Sequence, residues 1–378
     1  ENSLTPSICP TRLIGSERVY SFALPIYFCS SMTKQLLIKL LLFSLITTDV
    51  VEGTRKTYGV YDNNNNVKLF VFGDSYVDTG NFLNSSSYKH PYGITFPGKP
   101  TGRFSDGRVL TDYIASFLKI KTPTPYSFRN SSTLQYGINF AHGGTGVFQT
   151  LINGPNMTLQ IDSLEKLIKQ NVYTKQDLKS SIALVSASGN DYIAFISNRS
   201  ITEIKSFTTS LINQISLNVQ RIHSLGINKI AIGLLEPIGC MPPITQVTFH
   251  LTCVDLLNLV SENHNQVLLK NLLQLNQQLG KSVFVPLDLY NAFLSTIETM
   301  QKNRNDNSAL MNPLEFCCKG ECSKNSCGSV DDNGEKKYSL CEKPEVSFFW
   351  DKVHPSQNGW NAVYKQLQSS LGQLIDRN

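Results

Sequence analysis

Short apolar runs recur along this chain, and each is followed by glycine or polar residues. Residues 67–72 are rich in β-branched and aromatic side chains and end at Gly73, which predicts a buried strand. Similar patterns predict three more strands, at 181–186, 229–235 and 282–287.

Longer segments between these strands carry apolar residues at helical spacing. Residues 201–225 stop at Gly226 and residues 256–279 stop at Gly280, both good helix C-caps. Residues 291–300 and 361–375 are further predicted helices. Strands that alternate with helices of this length predict an α/β fold, with a parallel sheet between two helical layers. Ligands of such sheets gather beyond the carboxyl ends of the strands.

The first 66 residues are predicted to precede the folded domain. Residues 32–55 begin with a short cationic segment followed by an apolar run, a layout typical of a secretory signal peptide. The run is interrupted by Lys39, and the clean part that remains is too short to span a bilayer. A buried N-terminal helix is the alternative. We expect 1–31 to be upstream sequence absent from the mature protein, 56–66 to be a polar linker, and 67–376 to form one domain.

Charge and cysteine content narrow the class of protein. The 378 residues carry a net charge of +5 without a basic block, so we expect no nucleic-acid partner. Seven of the nine cysteines follow the predicted signal peptide, and five of them fall within 317–341. Their spacing does not form two CxxC pairs, which favours disulfides in an oxidising compartment over a zinc site. The pair Cys240 and Cys253 is a plausible local bridge. Residues 303–346 are predicted to form a disulfide-tied excursion before the last helix.

Glycosylation signals agree with export. Four Asn-x-Ser/Thr sequons are present, at Asn84, Asn130, Asn156 and Asn198. Together with the predicted signal peptide they indicate a glycoprotein with modified surface loops. We therefore expect a secreted, extracellular protein with no transmembrane segment, and the cell wall is one location that fits this expectation.

The first candidate for chemistry directly follows the first predicted strand. Gly73 permits a sharp turn there, which leaves Ser75 at the carboxyl end of the strand. Backbone N–H groups at such a turn can stabilise developing negative charge. An ordinary turn with a serine cap is the alternative interpretation.

The second candidate lies near the C-terminus. Asp351 and His354 are three residues apart on a predicted loop, so the carboxylate can orient the imidazole as a serine hydrolase requires. A solvated loop histidine is the alternative. Four other histidines lack such a partner and are expected to be structural: His90, His223, His250 and His264. His142 is harder to dismiss because it lies in a glycine-rich loop.

Two further segments can stabilise an anion. The glycine-rich loop at 139–146 can offer exposed N–H groups, although it does not match a phosphate-binding P-loop. After the second predicted strand, the side chain of Asn190 can donate to an oxyanion. A simple asparagine turn is the alternative there.

These four segments, in this order, resemble the GDSL or SGNH hydrolase family, and specifically its plant GDSL esterase/lipase branch. The resemblance covers residues 67 to 371 and includes the string Pro-Thr-Gly-Arg-Phe-Ser-Asp-Gly-Arg at 100–108, together with 91–93, 237–240 and the pair 317–318. It implies a three-layer α/β/α sandwich, flavodoxin-like, with a five-stranded parallel sheet.

The resemblance also implies roles for individual residues. Ser75 matches the nucleophile, and Asp351 and His354 match its partners. Ser75, Gly144 and Asn190 match the three donors of the oxyanion hole. Two positions depart from the family pattern: Tyr76 follows Ser75 where leucine is usual, and Ser188 replaces a glycine. If position 188 needs a positive φ, the serine is strained there.

The predicted function is hydrolysis of carboxylic esters, by an esterase or lipase that uses an acyl-enzyme and needs no metal or organic cofactor. An acyltransferase with the same acyl-enzyme is one alternative. A catalytically silent binding glycoprotein is another. The partner is a small-molecule or lipid ester whose identity the sequence leaves open.

Overall fold

Six parallel strands form the central sheet of the protein in the computed structural model, which describes residues 67–306, 311–322 and 324–375. The predicted upstream segment, signal peptide and linker lie outside the described residues. The strands are β1 Leu69–Gly73, β2 Thr124–Pro125, β3 Gly137–Asn139, β4 Ile182–Ser186, β5 Lys229–Gly233 and β6 Phe284–Leu287. Their order in the sheet is β2-β3-β1-β4-β5-β6.

The predicted count of five strands is too low by one. The additional strand, β2, has only two residues and pairs with β3 at the edge of the sheet. A two-residue strand that contains proline is too short to produce a hydrophobic pattern. The five remaining strands run in the order β3-β1-β4-β5-β6, which is the flavodoxin-like order that the resemblance implies.

The helices agree with the sequence pattern where they are long. The helices are α1 Leu110–Phe117, α2 Met157–Lys169, α3 Lys175–Lys179, α4 Gly189–Asn198, α5 Ile204–Ser224, α6 Pro242–Thr245, α7 Asp255–Leu279, α8 Leu289–Asp306, α9 Gln357–Gln366 and α10 Gln368–Ile375. The predicted helices at 201–225, 256–279 and 291–300 correspond to α5, α7 and α8, whereas 361–375 spans parts of two consecutive helices, α9 and α10. The shorter helices α1 to α4 and α6 were not predicted.

The sheet is covered on both faces, which makes the fold the predicted three-layer α/β/α sandwich. Because alternate residues of a strand face opposite sides, Phe70 and Phe72 of β1 point into the cluster that contains α2, α5 and α7. The second layer consists of α1, α8, α9 and α10, and α10 packs on β5 and β6. All five residues of β1 and of β4 are buried, as expected for parallel strands covered on both sides.

The cysteine-rich excursion forms a small antiparallel hairpin, β7 Cys318–Gly320 with β8 Tyr338–Leu340. Two disulfides tie it together, Cys317–Cys341 and Cys318–Cys327. A third disulfide joins Cys240 to Cys253 and confirms the predicted local bridge. Within the described ranges, no helix is long and apolar enough to cross a membrane.

Candidate active site

The turn after β1 brings Ser75 to the carboxyl edge of the sheet. Gly73 has a φ of +143°, and a Cβ at this position would lie 1.9 Å from the carbonyl oxygen of Ser186 in β4. Only glycine therefore permits β1 and β4 to remain paired up to this point. The amide of Gln160 accepts from the N–H of Gly73 at 2.8 Å and donates to its carbonyl at 2.9 Å. This double contact fixes the backbone two residues before Ser75.

Ser75, His354 and Asp351 form a continuous hydrogen-bonded chain. The Oγ of Ser75 lies 2.8 Å from Nε2 of His354. The Nδ1 of the same ring lies 2.7 Å and 2.8 Å from the two carboxylate oxygens of Asp351. With the Nδ1 proton facing the carboxylate, Nε2 is left to accept the serine proton. This geometry suits removal of a proton from Ser75.

The carboxylate of Asp351 is buried and accepts several hydrogen bonds. The backbone N–H groups of Val353 and His354 donate to Oδ1, each at 3.0 Å, and the hydroxyl of Tyr92 donates to Oδ2 at 2.7 Å. Burial alone would raise the pKa of Asp351, but the neighbouring His354 and these hydrogen bonds outweigh it and lower the pKa below its usual value. Asp351 is therefore ionised at neutral pH and can hold the imidazole in one tautomer and orientation.

The glycine-rich loop follows β3, and hydrogen bonds hold it beside the turn that carries Ser75. The N–H of His142 donates to the carbonyl of Gly73 at 3.0 Å, and the N–H of Gly143 donates to the carboxylate of Asp78 at 2.9 Å. Gly144 comes next and has a φ of +76°, a conformation that favours glycine. The imidazole of His142 contacts the carbonyl of Gly143 and the ring of Phe82 rather than Ser75.

Asn190 enters the site from the first turn of α4, directly after β4. Its side-chain amide donates to the carbonyl of Thr145 at 3.0 Å, which leaves a second amide hydrogen available. Ser188, just before this helix, has a φ of +149°. The positive φ that would strain a serine at this position is therefore present, and Ser188 is strained.

Asp191 joins α4 to the glycine-rich loop. Its carboxylate accepts from the N–H groups of Val147 at 2.9 Å and Phe148 at 2.8 Å. Burial raises the pKa of Asp191 to about 6, although both N–H groups favour the ionised form. The elements that carry Gly144 and Asn190 are thereby held together.

Two backbone donors at this edge have no acceptor of their own. Among the described residues, the N–H groups of Ser75 and Gly144 make no hydrogen bond. Buried or half-buried N–H groups are normally paired, so such donors are suited to bind an anion or a polarised carbonyl.

A cavity of about 340 Å³ opens beside Ser75 and His354, between α4 and α6. This volume lies within the usual range for small-molecule sites. Its wall is mostly hydrocarbon and includes Tyr192, Ile193, Ile196, Ile238, Met241 and Ile244. Glu236, which follows β5, also lines the cavity. The cavity can therefore accept an apolar group attached to a carbonyl carbon at Ser75.

Sequence reasoning missed several residues that shape this site. Tyr92 lies in one of the segments that carry the family resemblance and Asp191 directly follows Asn190, but no role was predicted for either. Gln160 and Glu236 carry no local pattern that links them to Ser75. Three of the four histidines expected to be structural form hydrogen bonds within the fold. These are His223 with the carbonyl of Ile227, His250 with Thr245, and His264 with Tyr192.

The chain is similar to known proteins of one family. A profile of the GDSL-like lipase/acylhydrolase family matches residues 69–367. Two Arabidopsis thaliana proteins, each named a GDSL esterase/lipase, are 46% identical to this chain. The alignments cover 93% and 89% of this chain and 96% and 98% of the two relatives. Among solved structures, an acetylxylan esterase from Geobacillus stearothermophilus is 15% identical with a TM-score of 0.38, covering 82% of this chain and 97% of its own.

Proposed function

The chain belongs to the GDSL-like lipase/acylhydrolase family and is a carboxylic ester hydrolase, and from this premise we propose that it works through Ser75, His354 and Asp351 by way of an acyl-enzyme. The observation that supports the proposal most directly is the 2.8 Å separation between Ser75 Oγ and His354 Nε2. The ionised carboxylate of Asp351 on the other side of the ring completes the arrangement that a serine hydrolase requires.

The proposed reaction has two halves. His354 Nε2 takes the proton from Ser75 as its oxygen attacks the ester carbonyl, and then delivers that proton to the departing alcohol. Water next attacks the acyl-serine while His354 takes a proton from it. His354 then returns this proton to Ser75 Oγ as the acyl bond breaks, which releases the carboxylic acid and restores the free serine. Throughout, Asp351 stabilises the imidazolium and holds the ring in place.

The negative charge on the carbonyl oxygen needs donors that are already in position. We propose the N–H groups of Ser75 and Gly144 and the side-chain amide of Asn190 for this role. The two N–H groups have no acceptor within the described chain, and the amide retains one hydrogen beyond its contact with Thr145. Loss of one such donor typically costs ~10²–10³ in turnover.

The test is Ser75→Ala, assayed with p-nitrophenyl esters of several chain lengths. We expect turnover to vanish while the unfolding curve stays close to that of the wild type. Ser216→Ala is the matched control, because Ser216 is also buried but lies in α5. A serine-reactive phosphonate should label the wild type and the control but not Ser75→Ala. Ester hydrolysis retained by Ser75→Ala would overturn the proposal.

We also propose that the protein is secreted and glycosylated. The signal-like sequence at 32–55, the four sequons and the three disulfides among the described residues support this. Asn84, Asn130 and Asn198 are exposed, and Asn156 is half-buried as the N-cap of α2. Mass spectrometry of the native protein before and after N-glycosidase treatment tests the four sites. Detection of Ser7 or Arg12 in the mature chain would contradict the proposed processing.

A further inference from the structure

Two residues with carboxyl groups that the proposed reaction does not use line the cavity beside Ser75, Asp74 and Glu236. Glu236 follows β5 at the carboxyl edge of the sheet, and its side chain lines the same cavity as Ser75 and His354. A Cβ added to Gly189 would lie 2.8 Å from Oε1 of Glu236, so the carboxyl group lies directly against the start of α4. It therefore borders the space that a substrate must occupy.

The surroundings of this carboxyl group are mostly apolar. Of the described residues that line the cavity, none is lysine or arginine, so no cation of the protein neutralises Glu236 there. Its ionisable neighbours are Tyr76, Asp74 and His354. The hydroxyl of Tyr76 already donates to the carbonyl of Val353 at 3.0 Å, and Asp74 accepts from the N–H of Tyr76 at 3.1 Å. The side chain of Tyr76 and the backbone N–H of Glu236 itself are hydrogen-bond partners of the Glu236 carboxyl group. A carboxyl group has about four lone-pair sites, so these two contacts leave room for a hydrogen bond from a ligand.

We propose that Glu236 is a specificity-determining residue that binds a hydroxyl group carried on the apolar part of the ester substrate. This inference rests on the proposed function and deepens it by naming a substrate class, the esters of hydroxylated aliphatic acids or of diols. Apolar pockets usually contain a few polar groups that fix the orientation of the ligand. A hydroxyl is both donor and acceptor, and it can satisfy either protonation state of the carboxyl group.

The charge state of Glu236 favours a hydroxyl over an ammonium group. Burial is the main reason that the pKa of Glu236 rises to about 7, while the hydrogen bonds with its own backbone N–H and with Tyr76, and the charge of His354, act in the opposite direction. At neutral or mildly acidic pH a large share of the carboxyl groups is therefore uncharged and gives a cation little attraction. The imidazolium that forms on His354 during the reaction would also repel a cation in this cavity.

The experiment compares matched ester pairs with and without a hydroxyl group. The first series uses methyl hexanoate and its monohydroxylated derivatives, with the hydroxyl moved along the chain. The second uses butyl hexanoate and the monohexanoate of butanediol. For each pair the ratio of kcat/KM, hydroxylated over plain, is measured for the wild type, Glu236→Leu and Glu236→Gln. Glu298→Gln is the control, because it removes an equivalent charge from an exposed position on α8.

In at least one series we expect the wild-type ratio to exceed that of Glu236→Leu by about 3- to 10-fold, the range for one neutral hydrogen bond. Glu236→Gln should keep most of the preference, since an amide also donates and accepts, and Glu298→Gln should leave it unchanged. Glu236→Met, which is closer in shape, gives the same test if the leucine variant does not fold.

Equal ratios in the wild type and Glu236→Leu, at every hydroxyl position of both series, would overturn the inference. So would a larger effect of Glu236→Leu on methyl 6-aminohexanoate than on any hydroxylated ester, since that result would indicate a cation site. Failure of the proposed function looks different. In that case Ser75→Ala would still hydrolyse methyl hexanoate, whatever the ratios for Glu236.

Discussion

Replacing Tyr92 with phenylalanine removes one hydroxyl from the site and leaves the ring that packs near Phe104 and Trp350. The hydroxyl of Tyr92 is 2.7 Å from Oδ2 of Asp351, in a buried environment. A hydrogen bond to a charged group is worth about 1.5–3 kcal/mol, because the remaining buried charge is poorly solvated without it. We therefore expect Tyr92→Phe to lower the free energy of unfolding by about that amount at neutral pH.

Tyr113→Phe is the matched control for this change. The hydroxyl of Tyr113 donates to the backbone carbonyl of Gln357 at 2.9 Å, and this acceptor carries no charge. Its loss should cost only about 0.5–1.5 kcal/mol and should leave ester hydrolysis unchanged. Urea denaturation of the wild type and both variants, with the disulfides intact, measures the two losses.

The pH dependence separates a contact with a carboxylate from simple packing. The pKa of Asp351 is lowered in the folded protein, so its contribution to stability is present above the unfolded value, about 3.9, and is lost as the pH falls through the folded value. Removing the Tyr92 donor raises the folded pKa. The deficit of Tyr92→Phe should therefore be largest near neutral pH and should shrink as Asp351 becomes protonated. The deficit of Tyr113→Phe should not change with pH.

We expect Tyr92→Phe to have a smaller effect on catalysis than on the free energy of unfolding. The N–H groups of Val353 and His354 and the imidazole itself still hold the carboxylate, so turnover of p-nitrophenyl butyrate should fall less than about 10-fold. Two results would refute the reasoning. One is a loss of stability no greater in Tyr92→Phe than in Tyr113→Phe, and the other is a deficit in Tyr92→Phe that persists unchanged into acid.

Two further substitutions probe the backbone around the glycine-rich loop. Ser188→Gly should stabilise the protein by about 1 kcal/mol, because relief of a strained φ, worth about 1–3 kcal/mol, exceeds the entropy that glycine adds to the unfolded chain. Urea denaturation should show no such gain for Ser188→Ala, and an equal gain would rule out backbone strain. At pH 4, Asp191→Asn should lower stability by about 1–3 kcal/mol, because the N–H of Val147 or of Phe148 loses its acceptor, and the variant should also have reduced turnover. The pKa of Asp191 is raised in the folded protein, so its contribution to stability is present below about pH 4 and is lost as the pH rises through about 6. Between pH 4 and pH 7, the free energy of unfolding of Asp191→Asn should therefore fall by less than that of the wild type. Equal pH profiles for the two proteins would contradict the assignment.

The layered α/β architecture could be predicted from the sequence because it rests on local periodicity. Strands β1, β4, β5 and β6 are apolar runs, and α5 and α7 carry long helical patterns that end at glycine. Shorter elements such as β2 and β3 contain too few residues to show a period, and α4 starts with the strained turn at Ser188. Their positions depend on pairing with neighbours that are distant in the sequence.

The sequence by itself determined which residues could carry chemistry where the relevant groups are close neighbours in the chain. Asp351 and His354 are three residues apart, so one short loop is sufficient to join them, and Gly73 marks the turn that presents Ser75. Only the tertiary structure decided which groups complete this edge of the sheet. Tyr92 is 259 positions from Asp351, and Glu236 joins the cavity because β5 ends at the same edge as β1. Burial and partner charges, which set the ionisation of Asp351 and Glu236, arise only when these distant segments pack together.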